Sequence, residues 1–455
     1  MRRILNALPL LVVAWGLLAF GAVYSWAFTP LAIVAAISGA YELWVGRRLL
    51  DRTPVPALAV ALFLLIAAVG VQLIPLPCSM VARISPGVAT LLTSYVVGFT
   101  TGSLHSLSIA PRATLIALAL LLAFGTFLLG LVVRVSRRGA TDLAGGIAVL
   151  GAAASMVAIV QRSADTQLVY GFWRPTFSTT PYGPFINRNH FAGWMLMALP
   201  LTLAYAWSRG ARASQESRWR RRLAWLSSKD ANQAVLSAFV SVVMAMSLMF
   251  SASRSGAIAL VITLVILGAV AWRTSDTRAR KPLIVYGFVL VVFVFGWSTT
   301  RELNARFVTA HHDFAGRMEI WSDTMRVVAD APLTGTGLNT YGASMLFYQR
   351  TDPDVHFVEA HNDYLQLAAE GGILICVPAA VFIGVVITAA VAQTNRYGLT
   401  PTRAGALAGL MAIALQEVGD FSLQMPGNVV LFCVLLAAAV APRPTPQHVR
   451  KLEAV

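Results

Sequence analysis

The chain has 455 residues, of which 57% are Ala, Val, Ile, Leu, Met, Phe, Trp, Tyr or Cys and only 12% are charged, with a mean hydropathy of +0.69. An ordinary soluble domain carries about a quarter charged residues, so a soluble multidomain enzyme, a disordered regulator and a fibrous protein are excluded. The net charge of +15 would suggest nucleic acid in a soluble chain. Here apolar runs of about 20 residues recur along the whole length and predict a polytopic, all-α integral membrane protein.

In chain order the runs lie at about 8–28, 30–45, 56–76, 113–133, 143–160, 191–207, 234–250, 256–272, 283–299, 372–392, 404–419 and 428–441. They predict about 12 transmembrane helices in one polytopic domain over 1–455. Arg2 and Arg3 precede the first run as in a signal peptide, but no small-residue cleavage site follows, so it reads as a retained span. Pro378 and Glu417 interrupt the last three runs. Placing the N-terminus inside puts 24 of the 35 Lys and Arg in inside segments, which is a consistent positive-inside pattern. Both termini are then cytoplasmic, including a tail over 442–455. The basic excess reads as topology and contact with anionic lipid, and the run Arg209 to Lys229 as a lipid-headgroup segment. Nucleic acid is not an expected partner.

The outer face receives the long segments, roughly 77–112, 161–190 and, largest, a loop over 300–371 carrying short amphipathic helices. A connection of that length is seldom idle. The sequence holds no GxxxxGK[ST] motif and no cytoplasmic nucleotide-binding domain, which disfavours ATP-driven transport. Cys78, Cys376 and Cys433 are widely spaced and form no CxxC, so neither a disulfide framework nor a zinc site is indicated.

Several polar groups on the outer face stand out by position. Arg188 sits in Pro184-Phe-Ile-Asn-Arg-Asn-His-Phe-Ala-Gly193, at the mouth of the sixth run, and Arg254 in the short hairpin Ser251-Ala-Ser-Arg-Ser-Gly256. Charges at the bilayer boundary are costly and usually have a job or a partner. Arg254 has two readings, a snorkel to lipid phosphate or a ligand clamp. Arg188 is either a plain loop arginine or the second half of that clamp, since two fixed guanidiniums suit a diphosphate. In the large loop, Trp321, Thr324, Met325 and Val328 fall at helical spacing after Arg317 and predict an amphipathic surface helix. Pro332-Leu-Thr-Gly-Thr-Gly337 then permits a turn or a close backbone approach, and a lone GxG is weak evidence for phosphate. In Glu359-Ala-His-Asn-Asp-Tyr364, Asn362 or Asp363 can cap the helix that follows, and Gly371-Gly372 can break it. His361 then lies at a helix N-terminus, where the dipole disfavours imidazolium. It is either a structural cap or a neutral imidazole suited to general-base work. Asp420, where the eleventh run ends, either pairs with an outer arginine or orients a ligand. His311, His312, Asp313, His356, His361 and Asp363 offer metal ligands, but no HExxH or evenly spaced carboxylate set appears, and no metal is expected.

Phe185-Ile-Asn-Arg-Asn-His-Phe-Ala-Gly193, Ser253-Arg-Ser255, Gly316-Arg-Met-Glu-Ile-Trp321, Pro332-Leu-Thr-Gly-Thr-Gly-Leu-Asn339 and Ala360-His-Asn-Asp-Tyr-Leu-Gln-Leu-Ala-Ala-Glu-Gly-Gly372, in that order, resemble the O-antigen ligase and polymerase superfamily. The resemblance covers roughly residues 180–430. It implies a multi-span, lipid-sugar-dependent glycosyltransferase of the bacterial inner membrane, with its active site on the periplasmic face. The implied donor is a glycan linked to undecaprenyl diphosphate. The implied acceptor is a hydroxyl, on lipid A-core for ligases and on another lipid-linked glycan for polymerases. By the same resemblance Arg188 and Arg254 bind the diphosphate and His361 is catalytic. Asn189, Asn362, Asp363, Arg317 and Asp420 support them, with neither metal nor cofactor. The energy would come from the diphosphate linkage itself.

Ligase and polymerase share these motifs, so a repeat-unit polymerase stands as the alternative to the ligase. A transporter or flippase for lipid-linked glycan is the reading from another class. It predicts ionisable groups strung through the spans, whereas Glu42 and Glu417, near run ends, are the exceptions to an apolar interior.

Overall fold

A computed structural model describes residues 2–97, 99–100, 102–164, 166–175, 180–214, 227–274, 287, 310–350 and 354–444. It is helical almost throughout. The bundle comprises α1 (Arg2–Leu18), α2 (Ser25–Val45), α3 (Val55–Val71), α4 (Cys78–Ile84), α5 (Pro86–Tyr95), α6 (Pro111–Arg138), α7 (Thr141–Ser163), α8 (Arg188–Ser214), α9 (Lys229–Phe250) and α10 (Arg254–Thr274). It continues with α11 (Ala310–Asp330), α12 (Tyr341–Tyr348), α13 (Asp363–Tyr397), α14 (Pro401–Gln416) and α15 (Pro426–Val440). A two-residue antiparallel pair, β1 (Leu76–Pro77) with β2 (Leu104–His105), brackets α4 and α5.

Among the described residues seven helices are long and apolar enough to cross a membrane by length and composition, namely α2, α6, α7, α8, α9, α10 and α13; α1, α3 and α15 are shorter apolar helices. The protein is thus an all-α, multi-pass membrane protein. Every expected run coincides with a helix except that at 283–299, which lies outside the described residues, as does most of the basic run between Arg209 and Lys229. The first run is not one span to residue 28. It ends at Leu18, and a 3-10 turn over Phe20–Ala22 redirects the chain into α2, with Phe20, Gly21 and Ala22 all at positive φ.

The helix α8 is the axis of the bundle. Phe191, Ala192 and Trp194 through Leu199 are all 0% exposed, enclosed by α7, α9, α10, α14 and α15. Lipid supplies little hydrophobic drive between helices, so small residues and close backbones carry the packing. Gly39 of α2 and Gly130 of α6 lie against each other, and Gly405 and Gly409 of α14 lie against the backbone of Pro200–Leu201 and Met197 of α8. At one end of the bundle Glu42 is 2% exposed between Arg137 at 3.0 Å and Arg134 at 3.5 Å. There too Arg403 donates to the carbonyls of Ala441 (2.7 Å) and Ala439 (2.9 Å), tying α14 to the end of α15.

At the opposite end the segments 76–110 and 310–371 form one layer. Ile109 N–H donates to Thr336 O (2.9 Å) and Thr114 Oγ1 to Leu338 O (2.8 Å), while Ala331 joins Val81, Val88, Leu92 and Leu107 in a small core. The surface helix expected after Arg317 is α11, but its buried stripe is Ile320, Asp323, Thr324 and Val327. Thr324 Oγ1 bonds Tyr341 Oη at 2.7 Å, whereas Met325, expected in the stripe, is 53% exposed.

The decisive local feature is a break in α13. Gly372 adopts φ 55°, ψ −162°, a region open to glycine, and the helical ladder is interrupted there. The Pro332–Leu338 segment fills the interruption. Ile373 and Leu374 N–H donate to the carbonyls of Pro332 and Leu333 (both 2.9 Å), and Thr336 and Gly337 N–H donate to Ala369 O (3.1 Å) and Glu370 O (2.9 Å). Gln72, at the end of α3, seals the joint: its Nε2 donates to Thr334 O and Glu370 O, and its Oε1 accepts from Leu338 N. The two glycines of the Pro332–Gly337 motif therefore serve close backbone approach.

A Cβ at Gly335, whose φ is +61°, would collide with the Glu370 carbonyl, whereas one at Gly384, further along α13, meets nothing within 4 Å. The left-handed backbone alone costs an L-residue about 1–2 kcal/mol. Gly335→Ala is expected to lower the melting temperature of the detergent-solubilised protein clearly, and Gly384→Ala to leave it within error. Equal melting of the two variants contradicts the role given to this joint.

Candidate functional site

The starts of α8, α10 and α13 and the turn between α14 and α15 meet at the end of the bundle that carries the 310–371 layer. Asn187 begins α8, its Oδ1 accepting from Asn189 N at 2.9 Å, and Arg188 N–H donates to Thr180 O (2.9 Å). Asn189 O then accepts from Gln416 Nε2 (3.0 Å) and Ser422 Oγ (3.3 Å), which docks α8 onto the end of α14. On the next helix, a Cβ at Gly256 would lie 2.8 Å from Ala192 Cβ, so the first turns of α8 and α10 touch. Ser255 Oγ donates to Asp420 Oδ2 at 3.4 Å. Arg188 and Arg254 therefore occupy the first residues of two adjoining helices, where the helix dipole favours an anion.

Asn362 caps α13, its Oδ1 accepting from Leu365 N at 3.0 Å. His361 precedes the cap at φ 51°, a left-handed conformation that turns the chain into the helix. Its imidazole packs edge-on against Phe421 at 4.8 Å between ring centroids, and its Nδ1 is buried with no partner among the described residues. A second imidazole, His190, packs edge-on against the same ring at 4.7 Å. His190 is 3% exposed and both of its ring nitrogens are without partners among the described residues.

Burial holds the His361 imidazole down to about 4, and the Arg317 guanidinium acts in the same sense. The cause is chiefly desolvation, where the sequence pointed to the helix dipole; the outcome, a neutral ring at pH 7, is the same. Arg317 lies within 3.3 Å of the position a Cβ would take at Gly419, beside Asp420. Asp420 is 0% exposed and its Oδ1 accepts from Phe421 N at 3.0 Å. Burial pushes its carboxyl up to about 6, opposed by the Phe421 N–H and by Arg317. Asp420 thus joins α10 to the α14–α15 turn through Ser255 and sits in the field of Arg317.

Behind these groups runs a network of acids and amides that the sequence reading missed apart from Asp363. Gln366 Nε2 donates to Glu359 Oε2 (2.7 Å) and Gln424 Oε1 (3.2 Å), and Gln424 Nε2 donates to Asp363 Oδ1 (2.7 Å). Glu417 accepts from Ser422 N at 2.7 Å; burial first, and then Asp363 and Asp420, keep its carboxyl protonated well above the usual range. Burial likewise pushes Glu359 up to about 8, with Glu370 and Asp363 adding to it. Glu370 accepts from Asn339 N and Tyr341 N, both at 2.8 Å, and so caps α12. His190, Gln416, Glu417 and Asn428 share a readable signal: polar residues inside or just past otherwise apolar runs. Among the described residues no group of three or more His, Cys, Asp or Glu side chains is arranged to hold a metal ion.

Asp420 and His361 give opposite pH dependences. Asp420 binds its proton more tightly folded than unfolded, so its stabilising contribution is present below about pH 4 and lost as pH rises through about 6. His361 binds its proton more weakly folded, so its contribution is present above about pH 6.5 and lost as pH falls through about 4. Relative to wild type, Asp420→Asn should gain thermal stability as pH rises from 4 to 6 and His361→Gln should lose it. Melting curves across that range check this, and slopes unchanged from wild type contradict it.

Residues 239–380 match the family model described as O-antigen ligase. The match runs from α9 into α13 and includes Arg254, Arg317, His361, Asn362 and Asp363; Arg188, Asn189 and Asp420 lie outside it and join those residues through the packing described above. A search of curated proteins found no match. The chain is thus a multi-pass helical protein in which residues 239–380 are similar to the O-antigen ligase family.

Proposed function

We propose that the protein transfers a glycan from undecaprenyl diphosphate to a hydroxyl acceptor at the periplasmic face of the inner membrane. Lipid A-core is the acceptor that fits an O-antigen ligase. The observation that carries the reading is the meeting of two arginine-bearing helix starts with a half-buried, neutral histidine at one end of an apolar bundle. A diphosphate leaving group needs charge compensation as its bond to the anomeric carbon breaks. Arg188 and Arg254, backed by the dipoles of α8 and α10, supply it from fixed positions.

In the same step the acceptor oxygen bonds to the anomeric carbon and its proton passes to the His361 imidazole. The ring is neutral at pH 7, as a base must be, although desolvation makes it a weak one. The negative charge of a bound diphosphate opposes both burial and Arg317, and so raises the basicity of His361 once the donor is in place. Asn362 orients His361 by capping α13. Asp420 holds the start of α10 and balances Arg317, while Asp363 and Asn189 fix the two helix starts through Gln424 and Gln416.

With folding intact, Arg188→Ala and Arg254→Ala should each lower glycan transfer by about 10²-fold or more, and His361→Ala by about 10²–10⁴-fold. The assay uses purified protein in lipid with donor extracted from the source cells. Wild-type rates in Arg254→Ala and His361→Ala together would falsify the assignment. Deleting the gene separates ligase from polymerase: polymer accumulating on the lipid carrier supports the ligase, and single repeats still reaching lipid A-core mean a polymerase.

A further inference from the structure

A second cluster of unusual residues adjoins the arginine-bearing start of α8 and has no part in the chemistry above. The turn between α1 and α2 and a short strap over residues 168–173 bring together Phe20, Tyr24, Trp26, Tyr170, Phe172 and Trp173. The strap closes on itself through Trp173 N–H to Val169 O at 3.0 Å. Phe20 is the buried centre, its ring 5.1 Å from Trp173, 5.6 Å from Tyr170 and 5.9 Å from Trp26. Around it the rings pair in near-parallel stacks, Tyr24 with Trp26 (10°) and Tyr170 with Phe172 (20°). The outer members offer their faces, Phe172 being 71% exposed and Trp26 49%.

We propose that these rings form a platform for the sugar rings of the lipid-linked glycan, a reading that rests on the function proposed above. Three observations support a glycan over a lipid-facing aromatic belt. In a belt, the polar tips of Tyr and Trp reach the headgroups. Here the Tyr170 hydroxyl donates to Leu18 O (2.6 Å) and Trp173 Nε1 to Tyr24 Oη (3.0 Å), so these tips are spent inside the protein. Phe20, Ala22 and Tyr170 are held at φ between 54° and 60°, a costly backbone for residues with side chains. The platform is also continuous with the candidate site: Phe20 and Val169 pack with Ile186, and Gly21 lies against the Phe185 ring, two and three residues before Arg188. A flat apolar ring face matches the C–H face of a pyranose, whose hydroxyls stay in water. A donor whose diphosphate lies at Arg188 would lay its first sugars on such a surface.

The test is saturation-transfer NMR on the full chain in lipid nanodiscs. The probe is glycan released by mild acid from the polyprenyl-diphosphate pool of the source cells. Wild type should bind it, and Phe172→Ala with Trp26→Ala should weaken binding about tenfold or more at an unchanged melting temperature. Unchanged affinity in the double variant overturns the proposal, as does a lowered melting temperature with affinity intact, which assigns the rings to the lipid interface. No binding to wild type overturns it as well. Binding that depends on the platform in a wild type that transfers no glycan overturns the proposed function and leaves the platform standing.

Discussion

The architecture at the end of the bundle that carries the candidate site depends on one backbone joint, the insertion of residues 332–338 into the break of α13 at Gly372. A helix interrupted within a membrane bundle leaves N–H and C=O groups that hydrocarbon cannot satisfy. Here the freed groups of Ala369, Glu370, Ile373 and Leu374 are matched by the inserted segment, with Gln72 completing the set. The joint makes α3, α13 and the 310–371 layer one unit. It holds the first turns of α13, and with them His361 and Asn362, against Phe421. Glu370 extends the same unit by capping α12, and Trp321 donates to Ala360 O at 3.0 Å from α11.

A second unit is built on α8. Its central residues are sealed by small-residue contacts with α14, and its first turn is tied to Gln416 and Ser422. The two units meet at Phe421, whose ring touches both His190 and His361. That arrangement explains why a strongly hydrophobic protein keeps so many polar side chains at one end. Glu370, Glu417 and Asp420 there are buried and each accepts from a backbone N–H. Fixed dipoles and charges of this kind are the form in which a protein stabilises a charged leaving group at little reorganisation cost.

Much of this was readable from the sequence, for reasons that differ by element. Apolar runs and helix caps are local, so the helices, the Asn362 cap and the break at Gly372 followed from composition and spacing. The turn at Phe20–Ala22 was missed because the run continues through it without a polar residue, and only positive φ angles mark it. The exposed Met325 was misplaced because helical spacing alone does not say which neighbour a helix faces. The pairing of His190 with Phe421, and of Gln366 with Glu359 and Gln424, joins residues far apart in the chain. Local pattern carries no information about such contacts. Arg188, Arg254 and His361 stood out because a charge or imidazole at a helix start is unusual wherever it occurs.

The similarity of residues 239–380 to the O-antigen ligase family supports the broad class of work proposed above, ligase- or polymerase-type chemistry. The central claim about this chain is that the adjoining starts of α8 and α10 receive the diphosphate. A cryo-EM structure of the protein in nanodiscs with undecaprenyl diphosphate bound tests it most directly. The account predicts phosphate density within hydrogen-bond reach of both Arg188 and Arg254, on the His361 side of the bundle. Density that contacts neither arginine, or that lies at the Glu42–Arg134 end, would contradict it.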